Sequence, residues 1–112
     1  MSTRSRIAIA EKNEAGIITY RSVYVHFDGD LVNETLTKHY NSQKLAEQIV
    51  KHGDISSITE GEIKRYRDYG DAWVTIRPRL SCNMEQLIKI TKENDGQYLN
   101  VYQAGEWKEY RL

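Results

Sequence analysis

Ile17-Ile18-Thr19-Tyr20-Arg21-Ser22-Val23-Tyr24-Val25-His26-Phe27 is the stretch whose pattern decides the fold. Val23, Val25 and Phe27 fall on one face, and Tyr20, Ser22, Tyr24 and His26 on the other. A repeat of two is the signature of a strand with one buried face. Upstream, residues 4–11 alternate in the same way, with Ile7 and Ile9 opposite Ala8 and Ala10. The polar run Lys12-Asn13-Glu14-Ala15-Gly16 between them reads as a turn ending in glycine, so the two strands are expected to pair as a hairpin.

Beyond Phe27 the period changes. Asp28-Gly29-Asp30 breaks the strand, and residues 31–40 carry Leu31, Val32, Leu36 and Tyr40 as a helical stripe. Ser42 is placed to cap a second helix running to His52, with Leu45, Ala46, Ile49 and Val50 inward and Gly53 just past its end. Thr59 and Glu62 match a capping box, predicting a short helix to Tyr69 closed by Gly70. Residues 72–77 have strand character and stop at Pro78, the one proline in the chain. Asn83 with Gln86 starts another helix, over which Met84, Leu87, Ile88 and Thr91 keep helical spacing. Residues 98–103, a turn at Ala104-Gly105 and residues 107–112 predict a C-terminal hairpin. The expected fold is α+β, one domain over residues 1–112: an antiparallel sheet built from N- and C-terminal hairpins, with three to four helices packed mainly on one face.

Composition narrows the function classes. The chain has 112 residues, 39% hydrophobic and 29% charged, in the range of a globular domain. Sixteen basic residues balance sixteen acidic ones, which argues against general nucleic-acid binding. No window approaches the run of ~20 apolar residues that a membrane helix needs, and the start of the chain lacks a signal-peptide core. The lone Cys82 excludes an internal disulfide and a multi-cysteine zinc site, and reads as a small buried apolar group in a reducing compartment.

Three groups of residues are candidates for function. His26 shares a strand face with Tyr24, Asp28 joins it if the strand runs on, and His39 follows one helix later. Imidazole beside carboxylate is the chemistry of a general base, and two imidazoles with a carboxylate could hold a divalent metal. The simpler reading makes Asp28-Gly29 a strand-to-helix turn and the histidines scaffold. No metal site or cofactor is assigned, since no ligand spacing such as H-E-x-x-H occurs. The second group is basic: Lys64, Arg65, Arg67, Arg77 and Arg79 lie close in sequence, interleaved with Asp68 and Asp71. The third is aromatic. Among eight tyrosines, Tyr20 and Tyr24 share one face of the second strand, and Tyr98 and Tyr102 one face of the C-terminal hairpin. Tyrosine suits recognition surfaces as well as half-buried strands. Tyr20, Tyr24, Arg65, Arg67, Arg77, Arg79, Tyr98 and Tyr102 are therefore the expected binding residues.

Ser5-Arg6-Ile7, the segment Tyr24-Val25-His26-Phe27-Asp28-Gly29, Leu36 and His39-Tyr40 together resemble a family of small tailed-bacteriophage proteins. Those proteins open with an S-R-I strand and carry Y-x-H-[WF]-D-G, then a leucine and an H-Y pair. Val50, Gly53-Asp54-Ile55-Ser56-Ser57-Ile58, Tyr66-Arg67-Asp68 and Gly105-Glu106-Trp107 are similar in placement and type. Many relatives continue the D-G with a Y-P loop, where this chain has Asp30-Leu31-Val32, so no ligand contact by that loop carries over. The resemblance implies a phage origin and host-cell cytoplasm, and no activity. The resulting expectation is a non-enzymatic phage accessory binding protein used in host takeover or anti-defence. It would inhibit a bacterial host or defence protein, or sequester a nucleotide signal, in the latter case through pockets shared in a homo-oligomer. The alternative is a small hydrolase of nucleotides or phosphoesters centred on His26, Asp28 and His39.

Overall fold

The computed structural model describes residues 3–112, and the fold is α+β. Strands β1 (Ser5–Lys12) and β2 (Ile18–Val25) form the expected antiparallel hairpin, with Ile7 opposite Val23 and Ala10 opposite Tyr20. Helices α1 (Gly29–His39) and α2 (Gln43–Lys51) follow. Ser42 caps α2 through its hydroxyl, which accepts from the Leu45 amide at 3.1 Å. After β3 (Ile55–Ile58) and β4 (Ile63–Arg65) come a 3₁₀ turn at Tyr66–Tyr69, the one-turn helix α3 (Trp73–Ile76) and the short strand β5 (Arg79–Ser81). Helix α4 (Met84–Glu93) leads to the C-terminal hairpin of β6 (Tyr98–Gln103) and β7 (Glu106–Arg111).

The strand order is β4-β3-β2-β1-β6-β7, with β5 also paired to β2. Pairing is mostly antiparallel, but β1–β6 and β2–β3 are parallel. The two hairpins therefore meet through a parallel seam, which alternation within a strand cannot specify. Helices lie on both faces. α1 and α2 bury Val32, Leu36, Ala46, Ile49 and Val50 on Ile7, Ile9, Val23 and Val25. α4 covers the opposite face, where Leu87 meets Ala8, Tyr20, Leu99 and Val101. Leu31 and Leu45, expected in the apolar stripes, are about half exposed at the helix margins (53% and 40%).

Two local expectations are overturned. Thr59 and Glu62 do not cap a helix; the Thr59 amide and hydroxyl both donate to the Glu62 carbonyl, closing the β3–β4 turn. The capping pattern and the tight turn use the same residue types, and the pairing of Ile58 with Ile63 decides between them. Residues 72–77 form no strand. Their β-branched residues are overridden by tertiary contacts: the Asp54 amide donates to the Ile76 carbonyl at 2.8 Å, and α3 seats against Gly53. Arg77, which precedes Pro78, is forced to extended backbone (φ −60°, ψ 154°) and ends α3.

Candidate functional site

The segment ending in Asp28-Gly29 serves as architecture. Asp28, not the glycine, takes the left-handed conformation (φ 57°). Gly29 is there for space: a Cβ on it would sit 2.8 Å from the Thr3 carbonyl oxygen, to which its own amide donates at 2.8 Å. The start of α1 is thereby pinned against the start of β1. Strand β2 stops at Val25, and the His26 Nδ1 lies 2.6 Å from the Tyr24 hydroxyl, which donates to it when the proton is on Nε2. His39 instead faces Glu60, with Nδ1 3.8 Å from its carboxylate. Among the described residues no group of three His, Cys, Asp or Glu is placed to hold a metal. His26 and His39 thus take separate partners.

The expected binding residues separate into core and surface. Tyr20 is packed beneath α4, and Tyr102 is stacked edge-on to Trp107 at 5.1 Å, so neither is a recognition residue. Tyr98 is half-buried at the start of β6, and Tyr24 is engaged with His26. Arg65 is also structural. Its guanidinium is buried and donates to the carbonyls of Ile49 (3.0 Å) and Gln48 (3.2 Å), two of the unpaired acceptors at the end of α2. Arg67 is exposed but occupied by Asp68 and by His52, whose Nδ1 accepts from it at 2.6 Å. Burial, then Arg67, Arg65 and Lys51, hold the His52 imidazole below its usual range, in keeping with an acceptor nitrogen. Cys82 is exposed, contrary to the buried position expected for it.

Two buried groups position the surface that remains. Arg6 is almost fully buried on the α4 face, and among the described residues no carboxylate lies within ion-pair distance of it. Its donors go to the Ser22 hydroxyl (2.6 Å), the Ser22 carbonyl and the Asn94 side-chain oxygen. Burial lowers its pKa to about 10, partly offset by Asp54. Asp54 fills a notch in the sheet. β5 pairs with β2 at residues 20–22 and β3 pairs at Val25, which leaves the Tyr24 amide between them, and the Asp54 carboxylate accepts it at 2.9 Å. Burial raises the Asp54 pKa against the opposing effects of that hydrogen bond, Arg6 and Arg79.

A raised carboxyl pKa stabilises the folded state at low pH, and that contribution disappears as pH rises through the folded value. Wild type is therefore expected to gain stability relative to Asp54→Asn between about pH 7 and 3. Urea unfolding of both proteins across that range checks it; a constant difference would mean that the carboxyl titrates normally.

The surface these groups hold in place is the elbow between α3 and β5. It contains a cleft of about 570 Å³ lined by Val74, Thr75, Arg77, Pro78, Arg79 and Leu80. Val74 and Leu80 in its lining are exposed apolar side chains, as are Trp73 in α3 and Tyr69 in the preceding 3₁₀ turn. Arg77 and Arg79 are exposed as well, and among the described residues neither has a carboxylate within 4.0 Å. No protein-family model, curated protein or solved structure matches this chain. The site therefore rests on its own geometry.

That geometry combines two free guanidiniums with apolar surface at a sheet margin. The basic cluster in the sequence had marked both arginines, but Trp73 and Val74 read as residues of a strand and Leu80 was assigned to no element. The one usable signal was Arg77-Pro78-Arg79, because proline between two cations marks an exposed elbow rather than a central strand. No helix among the described residues is long and apolar enough to cross a membrane.

Proposed function

We propose that this chain is a non-enzymatic binding protein that grips another protein through the α3–β5 elbow. Its role would be that of a phage accessory factor in the host cytoplasm, acting in host takeover or anti-defence by occluding a host or defence protein. The phage assignment rests on the sequence resemblance alone. The observation that carries the binding reading is the unpaired Arg77 and Arg79 beside exposed Trp73, Val74 and Leu80. Tryptophan and arginine dominate the energetics of protein interfaces, because each brings large contact area and directional donors at modest entropic cost. Exposed apolar patches of this kind are uncommon on a surface without a partner.

A nucleotide signal is the second ligand class, since two free guanidiniums in an open cleft also suit phosphate. The hydrolase alternative has less support: His26 and His39 are held by Tyr24 and Glu60 rather than by each other.

The test compares wild type with Arg77→Glu/Arg79→Glu as baits in lysate of a bacterial host. One or more proteins retained by wild type should be reduced at least about tenfold by the reversal, a loss of about 1.4 kcal/mol or more. Identical retention on both baits would overturn the reading. So would turnover of a nucleotide or phosphoester that vanishes in folded His26→Ala. Thermal stabilisation by one nucleotide, abolished by the reversal, would replace the protein partner with a sequestered signal.

A further inference from the structure

We infer that the elbow's occupant is an extended segment of the partner that adds to the sheet beside β5 and alternates acidic with apolar residues. The inference rests on the binding function just proposed and specifies the chemistry of the partner. β5 pairs with β2 on one side and, among the described residues, has no strand on the other. Among the described residues, no backbone group of Arg79–Ser81 makes a hydrogen bond outside that ladder. A free strand edge is a template for another strand, and proteins usually protect such edges with charge. β7, at the far margin of the sheet, is protected in this way by Glu106, Lys108, Glu109 and Arg111, charges of both signs. β5 offers instead a single cation, Arg79, and an uncovered leucine, which is 63% exposed.

The expected alternation follows from register. Arg79 pairs with Ser22 and Leu80 with Arg21, so Arg79 lies on the α4 face of the sheet and Leu80 on the other. Residues directly opposite in neighbouring strands share a face. A strand laid along the outer edge would therefore set one residue beside Arg79 and the next beside Leu80. Carboxylate complements the first position, where Arg79 has no carboxylate within 4.0 Å among the described residues, and an apolar side chain complements the second. Arg77, on the wall of the same cleft, supplies a second cation for the incoming strand. A second copy of this chain is the wrong occupant: β5 against β5 would gather Arg77 and Arg79 from both copies along one seam, four guanidiniums that no carboxylate among the described residues approaches within 4.0 Å.

The test uses fluorescein-labelled ten-residue peptides and fluorescence anisotropy with the full chain. The probes are alternating Glu-Val, alternating Lys-Val, a Glu-Ala peptide of equal charge that favours helix, and Glu-Val with alternate amides N-methylated. Glu-Val should bind, and each of the other three should bind at least about tenfold more weakly. Arg77→Glu/Arg79→Glu should invert the preference, losing Glu-Val and gaining Lys-Val. Arg77→Glu alone, a fully surface change, should lose Glu-Val by a smaller factor and serves if the double variant misfolds. The inference is overturned if Glu-Val fails to bind wild type at about 1 mM, if Glu-Ala or the methylated peptide binds equally well, or if charge reversal changes nothing. Failure of the peptides while a lysate protein still depends on Arg77 and Arg79 would remove strand addition and leave the binding reading intact.

Discussion

Gly53→Ala is expected to destabilise the protein by about 3 kcal/mol and to disable the elbow in whatever fraction remains folded. Two costs add at this position. Gly53 has φ 89°, a conformation that L side chains rarely adopt, and a Cβ built there would lie 2.6 Å from the Ile76 carbonyl oxygen and 3.0 Å from the Trp73 ring. The first is local backbone strain. The second can be relieved only by moving α3, and α3 is tied to the next residue through the Asp54 amide and Ile76 carbonyl. The clash therefore passes directly to Trp73, Val74 and Arg77. Chemical denaturation should give a clear drop in midpoint, and partner capture should fall further than Trp73→Ala alone reduces it. A midpoint within error of wild type would mean that α3 does not seat on Gly53.

Arg6→Ala is the second large effect, expected to cost about 2–4 kcal/mol. The alanine would leave a void the size of a guanidinium and its stem beneath α4, and would remove the donor from Ser22 and Asn94. Arg6→Met should be far milder, within about 1.5 kcal/mol of wild type. It keeps most of the volume, and it removes a cation whose burial is itself unfavourable, as its pKa of about 10 indicates. The difference between the two substitutions separates packing from charge. Equal losses in thermal or urea unfolding would show that the hydrogen bonds, not the volume, stabilise this site. Met should also raise the Asp54 pKa further, because Arg6 is one of two cations that lower it.

Much of the frame was legible from local pattern. The β1–β2 and β6–β7 hairpins, the Ser42 and Asn83 caps and three of the helices follow from alternation, helical spacing and capping chemistry within short windows. Between residues 55 and 81 that legibility failed. Four-residue and three-residue elements there carry too few side chains for a period to declare itself, and β-branched residues in α3 mislead any propensity.

Candidate residues divided along the same line. Residue type identified which side chains could act, but burial decided which were free to act. Arg65 and Arg77 are equivalent in the sequence, yet one caps α2 and the other stands in an open cleft. Tyr20 and Tyr102 look like recognition residues until α4 and Trp107 cover them. His26 and His39 look like parts of one site until their separate partners, Tyr24 and Glu60, are seen.

By itself the sequence determined the α+β class, the two hairpins and the capped starts of α2 and α4, because each depends on residues adjacent in the chain. Only the tertiary structure decided the parallel β1–β6 seam, the placing of α4 on the opposite face and the elbow on β2's divided edge. Those features depend on contacts between segments tens of residues apart, where side-chain volume and backbone hydrogen bonds across the sheet select one pairing among several that the local pattern permits equally.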